Sequence, residues 1–147
     1  MQAVDTKEYL DTVCQLLDAG QRRVPVPVAG DSMRPFLQPG DTVFLDPVEM
    51  PLKAGQMYLF LRPNGQYVLH RLLRAEASGR LWMLGDNQQT PEPVRGPEML
   101  RGQVVSLRRN GKFLTSKSLL WRFFAGPWLR KQWLRGTVSA FSRTRQR

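Results

Sequence analysis

Residues 29–41 constrain the fold more than any other stretch of this 147-residue chain. They read Ala-Gly-Asp-Ser-Met-Arg-Pro-Phe-Leu-Gln-Pro-Gly-Asp, and a run so dense in glycine, proline and aspartate makes a poor helix and a poor strand interior. Alternating valines at 24–28 precede the run and predict a strand. We therefore expect a strand that ends in a shaped turn, and that turn presents Ser32.

Short strand patterns separated by turn signals continue to residue 115. Strands are predicted at 42–45, 56–62, 66–74, 81–84, 103–108 and 112–115, with a polar, proline-rich loop at 85–97. The pairs Asn64-Gly65 and Asn110-Gly111 favour hairpins, and no helical pattern interrupts the strands. The sequence therefore predicts a mainly β body, built as an antiparallel sheet or a small barrel over residues 24–115.

A helical pattern precedes this body. Asp5 and Glu8 have the spacing of a capping box, and Gly20 is a typical stop signal. Apolar residues at helical spacing lie between them, so a helix is predicted over residues 5–19. We expect this helix and the β body to form one domain over residues 1–116.

The remaining segment, 117–147, alternates aromatic and basic residues and predicts two short amphipathic helices broken at Gly126-Pro127. The chain up to Glu98 has ten Lys and Arg against twelve Asp and Glu, whereas the rest has twelve Lys and Arg and no acid. We expect residues 117–135 either to meet an anionic partner, namely a membrane surface or a membrane protein, or to pack on the domain itself. A nucleic-acid partner is disfavoured because the sequence has no base-reading pattern.

Composition excludes several kinds of site. Cys14 is the only cysteine and His70 the only histidine, so we expect no disulfide framework, no metal site and no cofactor. The first 20 residues lack the apolar block of a signal peptide, and no stretch is apolar enough for a transmembrane helix. The expected location is the cytoplasm, with peripheral contact at the membrane.

Serine on a rigid turn is a candidate nucleophile, and the chain offers one base to activate it. A serine hydroxyl is weakly nucleophilic until a neighbouring base accepts its proton. His70 lies in the predicted strand 66–74, and an antiparallel sheet can bring it close to Ser32. A neutral imidazole suits the role of base near physiological pH. Asp86 and Glu92 are the two candidate acids that would orient it.

Three motifs in this chain resemble, in order, the boxes of type I signal peptidases and of the related SOS-repressor-type self-cleaving peptidases. Residues 30–37 and 39–41 resemble the nucleophile box, Ser-Met-x-Pro followed by Gly-Asp. Residues 67–72 resemble the second box, which has Lys-Arg in bacterial enzymes and His-Arg in the endoplasmic-reticulum type. Gly85-Asp86-Asn87 resembles the third box. The resemblance covers residues 24–108.

The resemblance implies that Ser32 is the nucleophile and His70 the general base of a Ser-His dyad. It also implies an orienting acid: Glu92 lies at the position of an acid in the endoplasmic-reticulum type, and Asp86 belongs to the third box itself. The residues implied to shape the nucleophile turn and its oxyanion site are Gly30, Asp31, Met33 and Pro35.

Two departures from signal peptidases bear on the function. Gly30 stands where many of them carry a serine that lends its hydroxyl to the oxyanion site, so main-chain N–H groups near Ser32 are expected to serve instead. We also expect no N-terminal membrane anchor. The expected function is a serine endopeptidase that cleaves a leader or precursor peptide through an acyl-enzyme.

Two other functions stay open. A self-cleaving SOS-repressor-type regulator would use a lysine base and cut an Ala-Gly or Cys-Gly bond well ahead of the serine. This chain has His70 in place of that lysine, and Ala19-Gly20 lies only 12 residues before Ser32, so this reading is disfavoured. The other is a catalytically inactive peptide-binding module, against which the intact Ser32 and His70 argue.

Overall fold

The computed structural model describes residues 3–31 and 33–132, with side chains from residue 7 onward. Ser32, the capping side chain of Asp5 and the part of the predicted tail from Trp133 to the end lie outside the described residues. Within them the chain forms an eight-stranded antiparallel sheet with helices before and after it. The prediction of a mainly β, antiparallel body is confirmed.

The helices and strands have the following bounds. The first helix is α1 (Ala3–Asp18), and the second is α2 (Leu119–Phe123), which continues into a π-helical turn (Phe124–Trp128). The strands are β1 (Val24–Pro27), β2 (Thr42–Asp46), β3 (Met57–Leu61), β4 (Tyr67–Ala75), β5 (Leu81–Leu84), β6 (Glu92–Val94), β7 (Leu100–Arg109) and β8 (Lys112–Thr115). A short 3-10 helix (Pro97–Met99) precedes β7.

Strand β7 joins the two halves of the sheet. The strand order is β1-β2-β7-β3-β4-β5-β6, and β8 also pairs with β7. The first residues of β7 pair with β3, whereas residues 103–108 pair with β2. Register shifts in the β2–β7, β3–β7 and β4–β5 ladders bend the strands. Strand β1 therefore lies at one end of the sheet and leaves one edge unpaired.

The two predicted Asn-Gly turns are present. Strands β3 and β4 form an antiparallel hairpin closed around Asn64 and Gly65, whose φ is +87°. Strands β7 and β8 close around Asn110 and Gly111, and both residues have positive φ, +51° and +75°. Two successive positive φ angles are typical of the tight hairpin turns for which Asn-Gly is favoured.

Strand β6 corrects one prediction, because residues 85–97 were expected to be loop throughout. Glu92–Val94 pairs with β5 at the end of the sheet opposite β1. Pro93 in its middle has no N–H to donate, which an edge strand tolerates and an interior strand does not. Because of the proline and its polar neighbours, this segment lacks the alternating apolar pattern that predicts a strand.

The Gly126-Pro127 pair corrects another prediction, since it does not break the C-terminal helix. Residues 119–132 are helical throughout, and Pro127 lies inside the π-helical turn. Proline lacks an N–H and its ring crowds the carbonyl four residues before it. A π-turn widens the helix locally and is a known way to accommodate such a disturbance. No helix of the described residues is long and apolar enough to cross a membrane.

The larger core cluster lies between the sheet and the helices. Strand residues such as Val43, Leu59 and Leu107 contribute one side of it. The helices and the turn after β1 contribute Val13, Cys14, Leu17, Met33, Phe36, Leu37, Trp121 and Phe124. A smaller cluster around Tyr58, Phe60 and Met83 covers the other end of the sheet. The C-terminal helix therefore packs on the β body through the same core as α1.

The two faces of α2 predict opposite mutational effects. Trp121 is 4% exposed and stacks edge-on against Phe36, whereas Leu119 is 82% exposed. We expect Trp121→Ala to lower the free energy of unfolding by about 3–5 kcal/mol, because it opens a cavity in the core. Leu119→Ala should change it by less than about 0.5 kcal/mol. Urea denaturation measures both, and equal effects would contradict the packing of this helix on the body.

Candidate functional site

A groove of about 690 Å³ runs between β1 and β4. Val26 to Gly30 form one wall, and the first half of β4 forms the other, where residues 67–70 pair with β3 but not with β5. Tyr9 and Leu10 of α1 lie along the same groove. Two strands thus face each other across the groove with their edges unpaired on the groove side.

His70 lies on the β4 wall of this groove and is 1% exposed. Its ring lies against Phe60, with the ring centroids 5.8 Å apart, and its Nδ1 atom has no hydrogen-bond partner among the described residues. Burial lowers the pKa of His70 to about 4; the negative charge of Glu92 opposes this shift and the positive charge of Arg62 adds to it. The imidazole is therefore neutral at pH 7 and can accept a proton.

The residues on either side of Ser32 reach the same groove. Ser32 lies outside the described residues, but Gly30 and Met33 line the groove together with His70. Gly30 has a φ of +78°, a conformation that strains residues with a side chain. This explains why glycine, rather than the serine of many signal peptidases, suits this position.

Hydrogen bonds hold the turn around this position. The Arg34 N–H donates to the carbonyl of Asp31 at 3.0 Å, and the Leu37 N–H donates to the carbonyl of Met33 at 2.9 Å. Asn87 donates from its side-chain amide to the same Asp31 carbonyl at 3.3 Å. Pro35 is exposed on the outside of the turn. The first and third boxes are therefore in direct contact.

Asp86, one of the two candidate acids, is engaged by arginine. Its Oδ1 atom accepts a hydrogen bond from Nε of Arg71 at 2.8 Å, and both side chains are fully buried. Arg71 also donates to the carbonyl of Gly55 at 2.8 Å and lies over the ring of Phe36. Burial raises the pKa of Asp86 to about 6, although Arg71 opposes the shift. The carboxylate of Asp86 therefore binds Arg71, which follows His70 in the sequence. It makes no hydrogen bond to the imidazole.

Glu92, the other candidate acid, lies on β6 and is paired with Arg62. Two hydrogen bonds of 2.7 Å join the guanidinium to the two carboxylate oxygens. Arg62 lines the groove, and both side chains are about one-quarter exposed. Glu92 makes no hydrogen bond to His70, but its charge favours the protonated imidazole. Of the two candidate acids, Glu92 is the one whose charge acts on His70.

Arg109 holds the turn that precedes β2, a role that the sequence did not predict. From the end of β7 it donates two hydrogen bonds to the carboxylate of Asp41, at 2.9 and 2.7 Å, and one to the carbonyl of Phe36. The Gln38 N–H donates to Asp41 as well. Burial works against the charge of Asp41, but these hydrogen bonds hold the pKa of Asp41 below its ordinary value. No sequence signal distinguishes Arg109 from the other arginines, because its role depends on strand pairing.

The C-terminal helix also reaches the site. Trp128 donates from its indole nitrogen to the main-chain carbonyl of Asp86 at 2.9 Å, and Gln132 donates to the same oxygen at 2.7 Å. Gly55 approaches Ala125 so closely that a Cβ atom on Gly55 would lie 2.3 Å from the Ala125 carbonyl oxygen. The helix is therefore fitted against the loops that hold the third box.

Comparison of the sequence with models of protein families shows to which family the chain belongs. A family model described as Peptidase S24-like matches residues 1–114. The chain belongs to the Peptidase S24-like family. Membership agrees with the mainly β, serine-peptidase-type body described above, and the C-terminal helix lies beyond the matched residues. A search of the curated proteins finds no match.

The buried pair of this Peptidase S24-like domain predicts strong coupling between Arg71 and Asp86. Asp86→Leu leaves a buried guanidinium without its carboxylate and should lower the free energy of unfolding by about 3–5 kcal/mol. Arg71→Met should cost a similar amount, whereas the double variant should recover much of the loss. Urea denaturation of the four proteins measures the coupling. Glu49→Ala, which breaks an exposed ion pair with Arg22, is the control and should have little effect. Additive losses from the two single variants would contradict the pairing.

Proposed function

We propose that this chain is a serine endopeptidase of the signal peptidase-like type, which cleaves a leader or precursor peptide with Ser32 as nucleophile and His70 as general base. The observation that carries the proposal is the groove between β1 and β4. It holds the only histidine of the chain, which is neutral and has no partner for Nδ1 among the described residues, opposite the residues that flank Ser32. Membership of the Peptidase S24-like family supports this chemistry.

The proposed reaction has two steps. The Ser32 hydroxyl oxygen attacks the scissile carbonyl while His70 takes its proton, and main-chain N–H groups of the nucleophile turn bind the oxyanion. His70 returns the proton to the leaving amine, which leaves an acyl-enzyme on Ser32. In the second step water attacks the ester carbonyl while His70 takes its proton, and His70 returns that proton to the Ser32 oxygen as the C–O bond breaks and the acid leaves. The charge of Glu92 would stabilise the imidazolium that forms in each step.

The walls of the groove suggest how the peptide lies. Pro25 and Pro27 of β1 have no N–H, and the Pro25 carbonyl is directed out of the sheet towards the hydroxyl of Tyr9. At these two residues the edge of β1 therefore has carbonyl acceptors and no donors, and the Pro25 carbonyl already accepts one hydrogen bond, from Tyr9. An extended substrate would pair with this edge through its own N–H groups. Residues 67–70 of β4 offer both donors and acceptors on the opposite wall.

Self-cleavage finds less support in this geometry. The Ala19-Gly20 pair directly follows α1, and Gly20 has a φ of +88°. The Gln21 N–H donates to the Leu16 carbonyl and the Gly20 N–H to the Leu17 carbonyl, which is the pattern of a Schellman cap. A bond held in a helix cap is not extended as a protease substrate would be, so cleavage in trans is the better proposal.

The proposal predicts that peptide cleavage needs both residues of the dyad. Candidate leader peptides are incubated with the wild type, Ser32→Ala and His70→Gln, and products are read by mass spectrometry. We expect kcat/KM to fall by at least about a thousandfold in either variant, with little change in peptide binding. Ser78→Ala, in an exposed hairpin turn, is the matched control and should keep full activity.

Each other outcome of this experiment speaks against the proposal. Undiminished cleavage by Ser32→Ala would exclude that serine as nucleophile. Binding of peptides by the wild type without cleavage would favour an inactive peptide-binding module. Circular dichroism of His70→Gln shows whether a loss of activity reflects chemistry or unfolding of the buried site.

The environment of His70 predicts an unusual pH profile. A base must be unprotonated, and the pKa of His70 is about 4 rather than 6.5, so kcat/KM should fall only below pH 5. At pH 5 about nine-tenths of the activity should remain, against about 3% for a histidine of ordinary pKa. Arg62→Gln removes a positive charge that lowers the pKa of His70, so the acidic limb should move to higher pH.

The pH dependence of kcat/KM between pH 3.5 and 8 measures this limb. Arg95→Gln removes an equal charge from an exposed residue that does not line the groove, and it is the control that should leave the limb in place. A wild-type limb near pH 6.5, or a downward shift in Arg62→Gln, would contradict the assignment of His70 as a buried neutral base.

A further inference from the structure

We infer that the outer face of the C-terminal helix is a docking surface for an anionic phospholipid bilayer. The inner face of this helix is fully used, since Trp121, Phe124 and Leu129 are buried in the body. Trp128 and Gln132 are hydrogen-bonded to the Asp86 carbonyl. These contacts fix the orientation of the helix on the body. The side chains on its outer face therefore point away from the body.

Three large apolar side chains lie on that outer face. Leu119 is 82% exposed, Phe123 46% and Leu120 44%, all within the first five residues of the helical run. Most exposed apolar residues of a soluble domain are scattered, and a cluster of three on one helical turn marks an interaction surface. Phe123 keeps one side against Phe124 and Trp128 and leaves the other uncovered.

Basic side chains surround the apolar cluster. Lys117, Arg122, Arg130 and Lys131 are exposed on the same helical run or at its start. Among the described residues, no basic side chain after Arg109 has a carboxylate partner, and the sequence has no acid after Glu98. Nothing local neutralises these charges, so an anionic partner would bind them without breaking an existing ion pair.

The combination favours a lipid surface over the other anionic partners. A helix that places leucine and phenylalanine between arginines and lysines can bury its apolar side chains at the headgroup boundary while its cations meet the phosphates. Nucleic acid would use the same cations but would gain little from Leu119 and Leu120, since leucine offers neither stacking nor base-edge contacts. The surface is therefore assigned to an anionic bilayer, which would receive the body in one fixed orientation.

Vesicle binding by the full chain tests this assignment. Sedimentation compares vesicles of phosphatidylcholine alone with vesicles in which about a third of the lipid is phosphatidylglycerol, at about 0.1 M salt. We expect the partition coefficient to be at least about tenfold higher for the anionic vesicles. Leu119→Ser combined with Phe123→Ser should lower it by about tenfold. Met50→Ser removes an apolar side chain that is 69% exposed elsewhere and should have no effect.

A matched charge series tests the basic part of the surface. Lys117→Gln combined with Arg122→Gln should lower binding to anionic vesicles about tenfold and leave binding to neutral vesicles unchanged. Arg22→Gln combined with Arg95→Gln removes the same charge from exposed sites on the body and should cause a much smaller loss. All these positions are exposed, so the variants are expected to fold, and circular dichroism checks that they do.

Several results would overturn the assignment. Equal binding to neutral and anionic vesicles, or no binding to either, would exclude an anionic bilayer as the partner. Wild-type partitioning of the Leu119/Phe123 double variant would exclude the helix face as the contact. Binding of a DNA duplex that depends on Lys117 and Arg122, without vesicle binding, would assign the surface to nucleic acid. The outcome is independent of peptidase activity, so Ser32→Ala should bind vesicles like the wild type.

Discussion

The buried ion pair between Arg71 and Asp86 is the interaction on which the rest of the structure depends. Arg71 follows His70 on β4, and Asp86 lies in the loop after β5, so the pair joins the second and third boxes. The guanidinium also lies over Phe36 of the turn after β1 and binds the carbonyl of Gly55. One residue therefore links β4 to the loop after β5, to the loop before β3 and to the turn after β1.

Such a pair is costly, and its surroundings explain how it persists. Moving both charges out of water costs several kcal/mol per ion, and attraction offsets this only with good geometry and further hydrogen bonds. One guanidinium nitrogen of Arg71 and one carboxylate oxygen of Asp86 have no partner among the described residues. The C-terminal helix fixes the main chain beside the pair, because Trp128 and Gln132 both donate hydrogen bonds to the main-chain carbonyl of Asp86. A segment beyond the family-matched residues thus supports the interior of the family-matched body.

The two candidate acids, Asp86 and Glu92, differ in burial and in the residues on which their charges act. Asp86 is fully buried and holds an arginine, whereas Glu92 is partly exposed, is bound by Arg62 at the groove and acts on His70 through its charge. His70 and Asp86 are shifted towards their neutral forms, the pKa of His70 downwards and that of Asp86 upwards, because burial disfavours charge of either sign. A neutral imidazole at the groove wall follows directly from this burial.

The sequence by itself determined the local features of this protein, and only the tertiary structure decided their partners. The Asn-Gly hairpins, the alternating strands and the Gly-Pro-rich turn before β2 could be predicted because turn chemistry and side-chain period act over a few residues. Strand β6 escaped prediction because Pro93 removes the pattern, and the unbroken helix through Pro127 because a π-turn depends on packing. The pairings of Arg71 with Asp86, Arg62 with Glu92 and Arg109 with Asp41 join residues 15 to 68 positions apart. No local pattern among 22 basic and 12 acidic residues selects those partners, because strand order and burial decide which charges meet.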